Sequence, residues 1–344
     1  MLTRKQIKEI KEHLGNSQSP VFFFDNDLDG LCSFLLLQRF LGRGKGVQIK
    51  SFPCLTGEYF RKVNELNADY IFILDKPLVS AEFLENARQF NIPVVWIDHH
   101  DINRKEISEF VNYYNPLLNK NKTNEPVTAL CYEVTERKED LWIAVIGCIF
   151  DRFIPGFYKE FREKYPDLSV DSKDAFAIFY ESRIGMMARV LNFALKDRVT
   201  NVVGVLKFLM KIKSPYELSD ESGENFAIYR RFNQINPKYK KLLQEAVSTG
   251  RNSGKLLFFQ FSGDLSISAD LANELIYKFP EKIVVVAYIR GMKANISVRG
   301  KKIKERVLNV IKNLENATGG GHEDAVGAKI NTDDLEKFRN ELAG

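Results

Sequence analysis

Val21-Phe22-Phe23-Phe24-Asp25-Asn26-Asp27-Leu28-Asp29-Gly30 decides the fold. Four consecutive apolar residues read as a strand buried on both faces, the habit of a parallel sheet covered by helices. Acids begin where the strand ends. The same pattern returns in Tyr70-Ile71-Phe72-Ile73-Leu74-Asp75 and in Val94-Val95-Trp96-Ile97-Asp98-His99-His100-Asp101. In such sheets ligands bind beyond the carboxyl ends of the strands. Asp25, Asp75 and Asp98 are therefore expected to converge on one edge. So many acids side by side repel one another, and bound cations remove that cost.

Working outward, the first 150 residues alternate strand and helix signals. Helices are expected at about 4–13, 30–41, 59–66 and 81–90, and strands at 21–24, 47–52, 70–74 and 94–97. Gly42-Arg43-Gly44-Lys45-Gly46 follows a helix and lacks phosphate-loop spacing, so it reads as a helix stop. From about 127 to 243 the pattern is helical. Within it, 141–150 forms a buried helix that delivers Asp151, and the polar residues 219–224 mark a loop. Residues 247–254 read as a linker. Beyond them lies a second α/β unit, with strand 255–261, helix 269–279, a hairpin around Gly291, and helix 304–314. The fold class is α/β: a mostly parallel N-terminal sheet flanked by helices, a helical connector, and a smaller C-terminal α/β domain. The expected boundaries are 1–160, 161–250 and 251–344.

Composition excludes several classes. No apolar run of about 18 residues exists, so no transmembrane helix is expected. The first residues lead into a charged amphipathic helix and not a secretory signal. Cys32, Cys54, Cys131 and Cys148 are scattered, which supports neither a zinc site nor a disulfide framework and fits a cytoplasmic chain with reduced thiols. A formal net charge of +5 is compatible with a polyanionic partner without demanding one.

In Asp25-x-Asp27-x-Asp29-Gly30, alternate spacing points the three carboxylates to one side if the segment stays extended. Oxygen ligands at this density suit Mg²⁺ or Mn²⁺. A calcium loop is the competing reading, but the bidentate Glu of that motif is missing. Asp98-His99-His100 adds imidazoles, which tilts the set toward Mn²⁺. Asp75 and Asp151, taken singly, read as ordinary turn and cap carboxylates. Gly319-Gly320-Gly321-His322 reads as a glycine loop that lets an anion approach the main chain.

The order DxDxDG, a strand-end Asp, DHH, a helix-borne Asp and GGGH resembles the DHH phosphoesterase superfamily. Gly320, Gly321, His322, Ala325 and Gly327 resemble the GGHxxAxG pattern of its DHHA1 domain. Asn115-Pro116 matches a pair common after the DHH motif in RecJ-like members. The resemblance implies two-metal phosphodiester hydrolysis with two Mn²⁺ ions, Mg²⁺ being the alternative. It implies Asp27, Asp29, Asp75, Asp98, His99 and Asp151 as metal ligands, with Asp75 bridging, and Asp25 and His100 as catalytic groups. Arg299, Gly319, Gly320, Gly321 and His322 are implied as substrate-binding, from a second domain across a cleft. One departure is Phe23, which stands where many members carry a His ligand. It puts full occupancy of one metal site in question and points away from the pyrophosphatase branch.

The chain ends soon after the DHHA1-like unit, so the compact archaeal RecJ-like nucleases, including the Hef-associated type, are the nearest resemblance. That implies a single-strand exonuclease releasing mononucleotides, with a lean toward 3′→5′. The basic run 299–306 would track a nucleic-acid backbone or simply be a solvated helix start. Tyr113, Tyr114 and Phe153 would stack bases or belong to the core. Implied partners are single-stranded DNA or RNA, short oligonucleotides, and a DNA repair or replication protein, with no membrane. The alternatives are a short-oligonucleotide or cyclic-dinucleotide phosphodiesterase, and a non-catalytic nucleic-acid-binding scaffold.

Overall fold

The computed structural model describes residues 1–51, 53–102, 107–219, 223 and 225–343. It separates into two compact units, Met1–Phe232 and Asn233–Gly344.

The first unit carries strands β1 (Pro20–Asp25), β2 (Lys45–Ile49), β3 (Cys54–Leu55), β4 (Tyr70–Leu74), β5 (Leu78–Val79), β6 (Val94–Ile97) and β7 (Val111–Tyr114). Five of them make one parallel sheet in the order β2-β1-β4-β6-β7, and β3 pairs with β5. Helix α1 (Arg4–Asn16) precedes β1, and α2 (Leu28–Leu41), α3 (Phe60–Glu65) and α4 (Ala81–Gln89) connect the strands. The apolar run of β1 feeds both faces of the sheet. Phe24 stacks on Phe34 of α2 and Phe22 lies tilted against it, while Phe23 meets Phe83 of α4 and Tyr59 edge-on. From β1 the chain moves to β2 on one side and then to β4 on the other. That reversal opens a crevice at the carboxyl ends of β1 and β4, where α/β sheets place ligands.

Helices α5 (Val127–Thr135), α6 (Leu141–Phe150), α7 (Tyr158–Lys164), α8 (Ala175–Glu181), α9 (Arg183–Leu195) and α10 (Val199–Leu209) complete this unit. The last carbonyls of α9 and the turn after it are satisfied from outside. Gln48 Nε2 donates to Leu195, Arg231 Nε to Lys196 and Lys50 Nζ to Asp197. Orphan carbonyls at a helix end need such partners.

Helix α11 (Phe226–Asn252) crosses the division between the units. The second unit has β8 (Leu256–Ser262), α12 (Ser268–Lys278), β9 (Ile283–Arg290), β10 (Lys293–Arg299), α13 (Ile303–Lys312), β11 (Thr318–His322), β12 (Ala325–Asn331) and α14 (Leu335–Ala343). Its mixed sheet runs β11-β12-β10-β9-β8, with only β8 and β9 parallel. The turn between β9 and β10 uses Gly291 at φ 60°.

Four expectations need correction. Residues 247–252 are not a loop but the end of α11, because Gly250 lets the helix lie close to Leu257 and Phe279. Gly319–His322 is the edge strand β11 and not a glycine loop. Tyr113 and Tyr114, read as base-stacking or core aromatics, belong to an unexpected fifth strand of the sheet, β7. The first acidic motif does not stay extended, since α2 begins at Leu28. Phe52, expected in a strand, and residues 220–222 and 224, expected in a loop, lie outside the described residues.

Candidate metal centre

Three backbone states place the three acids of the first motif. Asp25 ends β1. Asp27 is the N-cap of α2, with Oδ1 accepting the Gly30 N–H at 3.0 Å. Asp29 lies in the first turn of that helix. Gly30 is required by sterics, because a Cβ there would lie 2.6 Å from the Asp25 carbonyl oxygen. Asp29 is buried and accepts two backbone N–H groups at the start of α5, Val127 at 2.9 Å and Thr128 at 2.7 Å.

Asp75 follows β4 in a left-handed conformation, φ 58°, with its N–H donating to the Ile97 carbonyl. Its Oδ1 is buried and has no hydrogen-bond partner among the described residues. That oxygen lies 3.4 Å from His99 Nε2 and 3.9 Å from His100 Nδ1. Asp98 follows β6 and is fully buried. Its Oδ1 is 2.7 Å from His100 Nδ1, and its Oδ2 accepts the Tyr113 hydroxyl at 3.1 Å. Asn115 Nδ2 donates to the His100 carbonyl at 2.8 Å and to the Tyr113 hydroxyl at 2.7 Å. Asp151, at the C-terminus of α6, brings Oδ2 to 3.7 Å from His99 Nε2.

Two triads result within this unit: Asp29, His99 and Asp151, and Asp75, Asp98 and His100, each with one ligand atom per residue inside 4.8 Å. Electrostatics make the same point. Burial, with the charges of Asp25 and Asp29, pushes Asp27 up to about 8. Burial and Asp151 push Asp29 up to about 6. Burial, then Asp29 and Asp27, hold Asp75 well above the usual carboxylate range. For His100, burial opposes charge, but Asp98 and its hydrogen bond outweigh it and the imidazole titrates above its ordinary value. A buried acid with an orphaned oxygen, facing imidazoles and further carboxylates, fits divalent cations, which replace protons on such sets.

Of the residues expected to hold metal, Asp29, Asp75, Asp98, His99 and Asp151 enter the triads and Asp27 enters neither; Asp25, expected to be catalytic, also enters neither. His100, expected to act on phosphate, joins the Asp75 and Asp98 triad. Phe23 is a fully buried core residue. Tyr114 is core, whereas Tyr113 braces Asp98, and Phe153 is half-buried. Sequence reasoning missed Lys76, the α5 start at Thr128 and the bond of Tyr113 to Asp98. Nothing local marks Lys76, whose partner Asp25 lies 51 residues away in sequence.

In the second unit, Arg299 is buried, with Nε donating to Asn273 Oδ1 at 2.6 Å. Arg306 of the basic run donates to the Leu342 carbonyl, a role inside the unit. The three glycines of β11 differ. A Cβ at Gly319 would meet Ile311 at 2.8 Å, and one at Gly321 (φ 143°) would meet the Ala325 carbonyl oxygen at 2.3 Å. A Cβ at Gly320 would meet no heavy atom within 4 Å. Fold geometry demands two of the glycines and leaves the middle one unexplained.

Known proteins agree with this architecture. Residues 21–148 match the family model of the DHH family N-terminal domain, and residues 252–344 match that of the DHHA1 domain. No curated protein matches the chain by sequence. Among solved structures, RecJ from Thermus thermophilus in complex with Mn²⁺ is 16% identical, with a TM-score of 0.65, over 98% of this chain and 53% of that one. The chain thus spans about half the length of that RecJ. An exonuclease RecJ bound to manganese is 16% identical, with a TM-score of 0.64, over 99% of this chain and 94% of that one. An exopolyphosphatase-related protein from Bacteroides fragilis is 15% identical, with a TM-score of 0.53, over 100% of this chain and 97% of that one. No helix among the described residues is long and apolar enough to cross a membrane. With its acidic centre at the strand ends and both domain models matched in order, the chain belongs to the DHH family of phosphoesterases, a DHH domain followed by a DHHA1 domain.

Proposed function

We propose that this phosphoesterase is a metal-dependent exonuclease that trims single-stranded nucleic acid to mononucleotides. The observation that carries the metal dependence is the buried, hydrogen-bond-free Oδ1 of Asp75 set between His99 and His100. Asp29, His99 and Asp151 would hold one ion, and Asp75 and Asp98 a second, with Asp27 near both. Bound there, Mn²⁺ or Mg²⁺ would supply Lewis-acid charge for the phosphate and a nucleophilic water at neutral pH. The chain's own groups do the positioning. Tyr113 and Asn115 hold Asp98 and the His100 backbone in place. Asp98 orients the His100 ring, whose Nε2 would donate to a phosphate or leaving oxygen in the bound state.

In this reading 1–160 is catalytic, 161–250 a connector and 251–344 the substrate-gripping part. Arg299, His322 and the main chain at Gly319–Gly321 are the proposed phosphate contacts. The open space at Gly320 supports this, since a glycine not needed by the fold suits close approach of a ligand.

The test is incubation with Mn²⁺ and end-labelled single strands, a long oligonucleotide and a dinucleotide, in DNA and RNA. The Asp75→Asn chain runs beside the native one. Stepwise shortening of the long strand, absent in Asp75→Asn, is the expected result, and the label position reads polarity, with 3′→5′ expected. Cleavage of the dinucleotide alone would reassign the chain to short oligonucleotides. Binding without cleavage of any strand would favour a scaffold.

A further inference from the structure

Lysine is almost never fully buried unless its charge is held. Lys76 is 0% exposed. The backbone before it bends through the left-handed Asp75, a conformation uncommon for a residue with a side chain. The bend is locked twice: Asp75 N–H donates to Ile97, and the Trp96 indole N–H donates to the Lys76 carbonyl at 2.9 Å. Neighbouring residues Asp75 and Lys76 therefore both contribute at the acidic strand ends, one as acid and one as ammonium.

The Lys76 ammonium donates to Asp25 Oδ1 at 2.8 Å and to the Ser51 carbonyl at 2.7 Å. The same Asp25 oxygen accepts the Asn26 N–H at 2.8 Å. One oxygen of Asp25 is thus filled by a cation and an amide from the chain itself. Asp25 belongs to neither ligand triad. Phe23, on the same face of β1 by strand alternation, is packed against Phe83 and Tyr59, so it puts no imidazole beside Asp25 to share an ion.

We propose that Lys76 is a positioning residue of the metal centre: its ammonium is a resident cation that keeps Asp25 out of the metal-ligand set. The proposal rests on the metal-dependent reading above. Unlike a divalent ion, this cation cannot dissociate, so Asp25 is held whether or not the triads are filled. Removing the ammonium leaves a carboxylate beside the triads without its cation, ready to take an ion.

Mn²⁺ binding to the full chain tests this, read by the electron paramagnetic resonance of free Mn²⁺ and by calorimetry. The chains are the native one, Lys76→Met, Asp25→Asn and the double variant. Lys76→Met is expected to take up one more Mn²⁺, or to bind its weakest ion at least tenfold more tightly. Asp25→Asn alone takes the carboxylate from the ammonium and is expected to weaken Mn²⁺. The double variant removes both charges and is expected to bind the native number of ions within threefold of native affinity. Loss of an ion in the double variant, or tenfold weakening, would make Asp25 a ligand and overturn the proposal. A native titration in Lys76→Met would also overturn it, leaving the lysine a packing residue. Should Lys76→Met fail to fold by circular dichroism, the double variant, which removes the pair together, decides alone. A native chain that binds no Mn²⁺ would overturn the metal centre itself, and this proposal with it.

Discussion

Asp29 accepts the backbone N–H of Thr128 at 2.7 Å across 99 residues of chain, so one carboxylate both caps helix α5 and stands in a triad with the ligand set for a metal ion. Its second oxygen takes the Val127 N–H. Asp29→Ala would leave two buried donors unsatisfied, a loss of about 2–4 kcal/mol in metal-free stability. The side chain of Asp151, in the same triad, is 31% exposed. Asp151→Ala is expected to change metal-free stability by less than about 1 kcal/mol. Urea denaturation in chelator separates the two, and both variants should lose Mn²⁺ affinity.

Divalent ions should stabilise the native chain strongly. An ion at a hundred times its dissociation constant adds about 2.7 kcal/mol. Thermal melts with Mn²⁺, with Mg²⁺ and with chelator check this. Asp75→Asn should show a smaller metal-induced rise than the native chain, because it removes the negative charge of the orphaned carboxylate while leaving Asp29, His99 and Asp151 in place.

Tyr113→Phe removes the hydroxyl between Asp98 and Asn115 while keeping the ring against Trp96. Groups that orient a metal ligand typically matter by about 10–100-fold. A loss of that size in Mn²⁺ affinity or turnover is expected, against about 1 kcal/mol in stability.

The glycines of β11 should part company. Gly321→Ala places a Cβ against the Ala325 carbonyl at positive φ and is expected to destabilise by about 1–3 kcal/mol. Gly320→Ala meets open space and should melt within about 1 kcal/mol of native. It should nevertheless weaken binding of a single-stranded oligonucleotide, measured by fluorescence anisotropy.

Glu133 is a half-buried carboxyl whose Oε2 has no hydrogen-bond partner among the described residues, and burial pushes it up to about 7. A raised acid binds its proton more tightly in the folded chain. Its stabilising contribution is therefore full below pH 4.5 and is lost as pH rises through 7. Because the group is half exposed, the loss is about 1–2 kcal/mol, less than the shift alone implies. Glu133→Gln should be more stable than native at pH 8 and equal to it at pH 4.5, by denaturation at the two values.

Local signals were enough for much of this protein. Continuous apolar runs at 21–24, 70–74 and 94–97 marked strands buried on two faces, and the acids after them marked a ligand edge. Both follow from period and burial, which neighbouring residues encode. Where the first motif turned, local reading failed, because the N-cap bond from Gly30 to Asp27 competes with extension and wins. The partners of the site belong to tertiary structure alone. Lys76 reaches Asp25 over 51 residues, Thr128 reaches Asp29 over 99, and Tyr113 reaches Asp98 over 15 from a neighbouring strand. A lysine, a threonine and a tyrosine carry no mark of such roles in sequence. Only strand order and the bend at Asp75 bring them to the acids, and the low-polarity interior then makes each contact decisive.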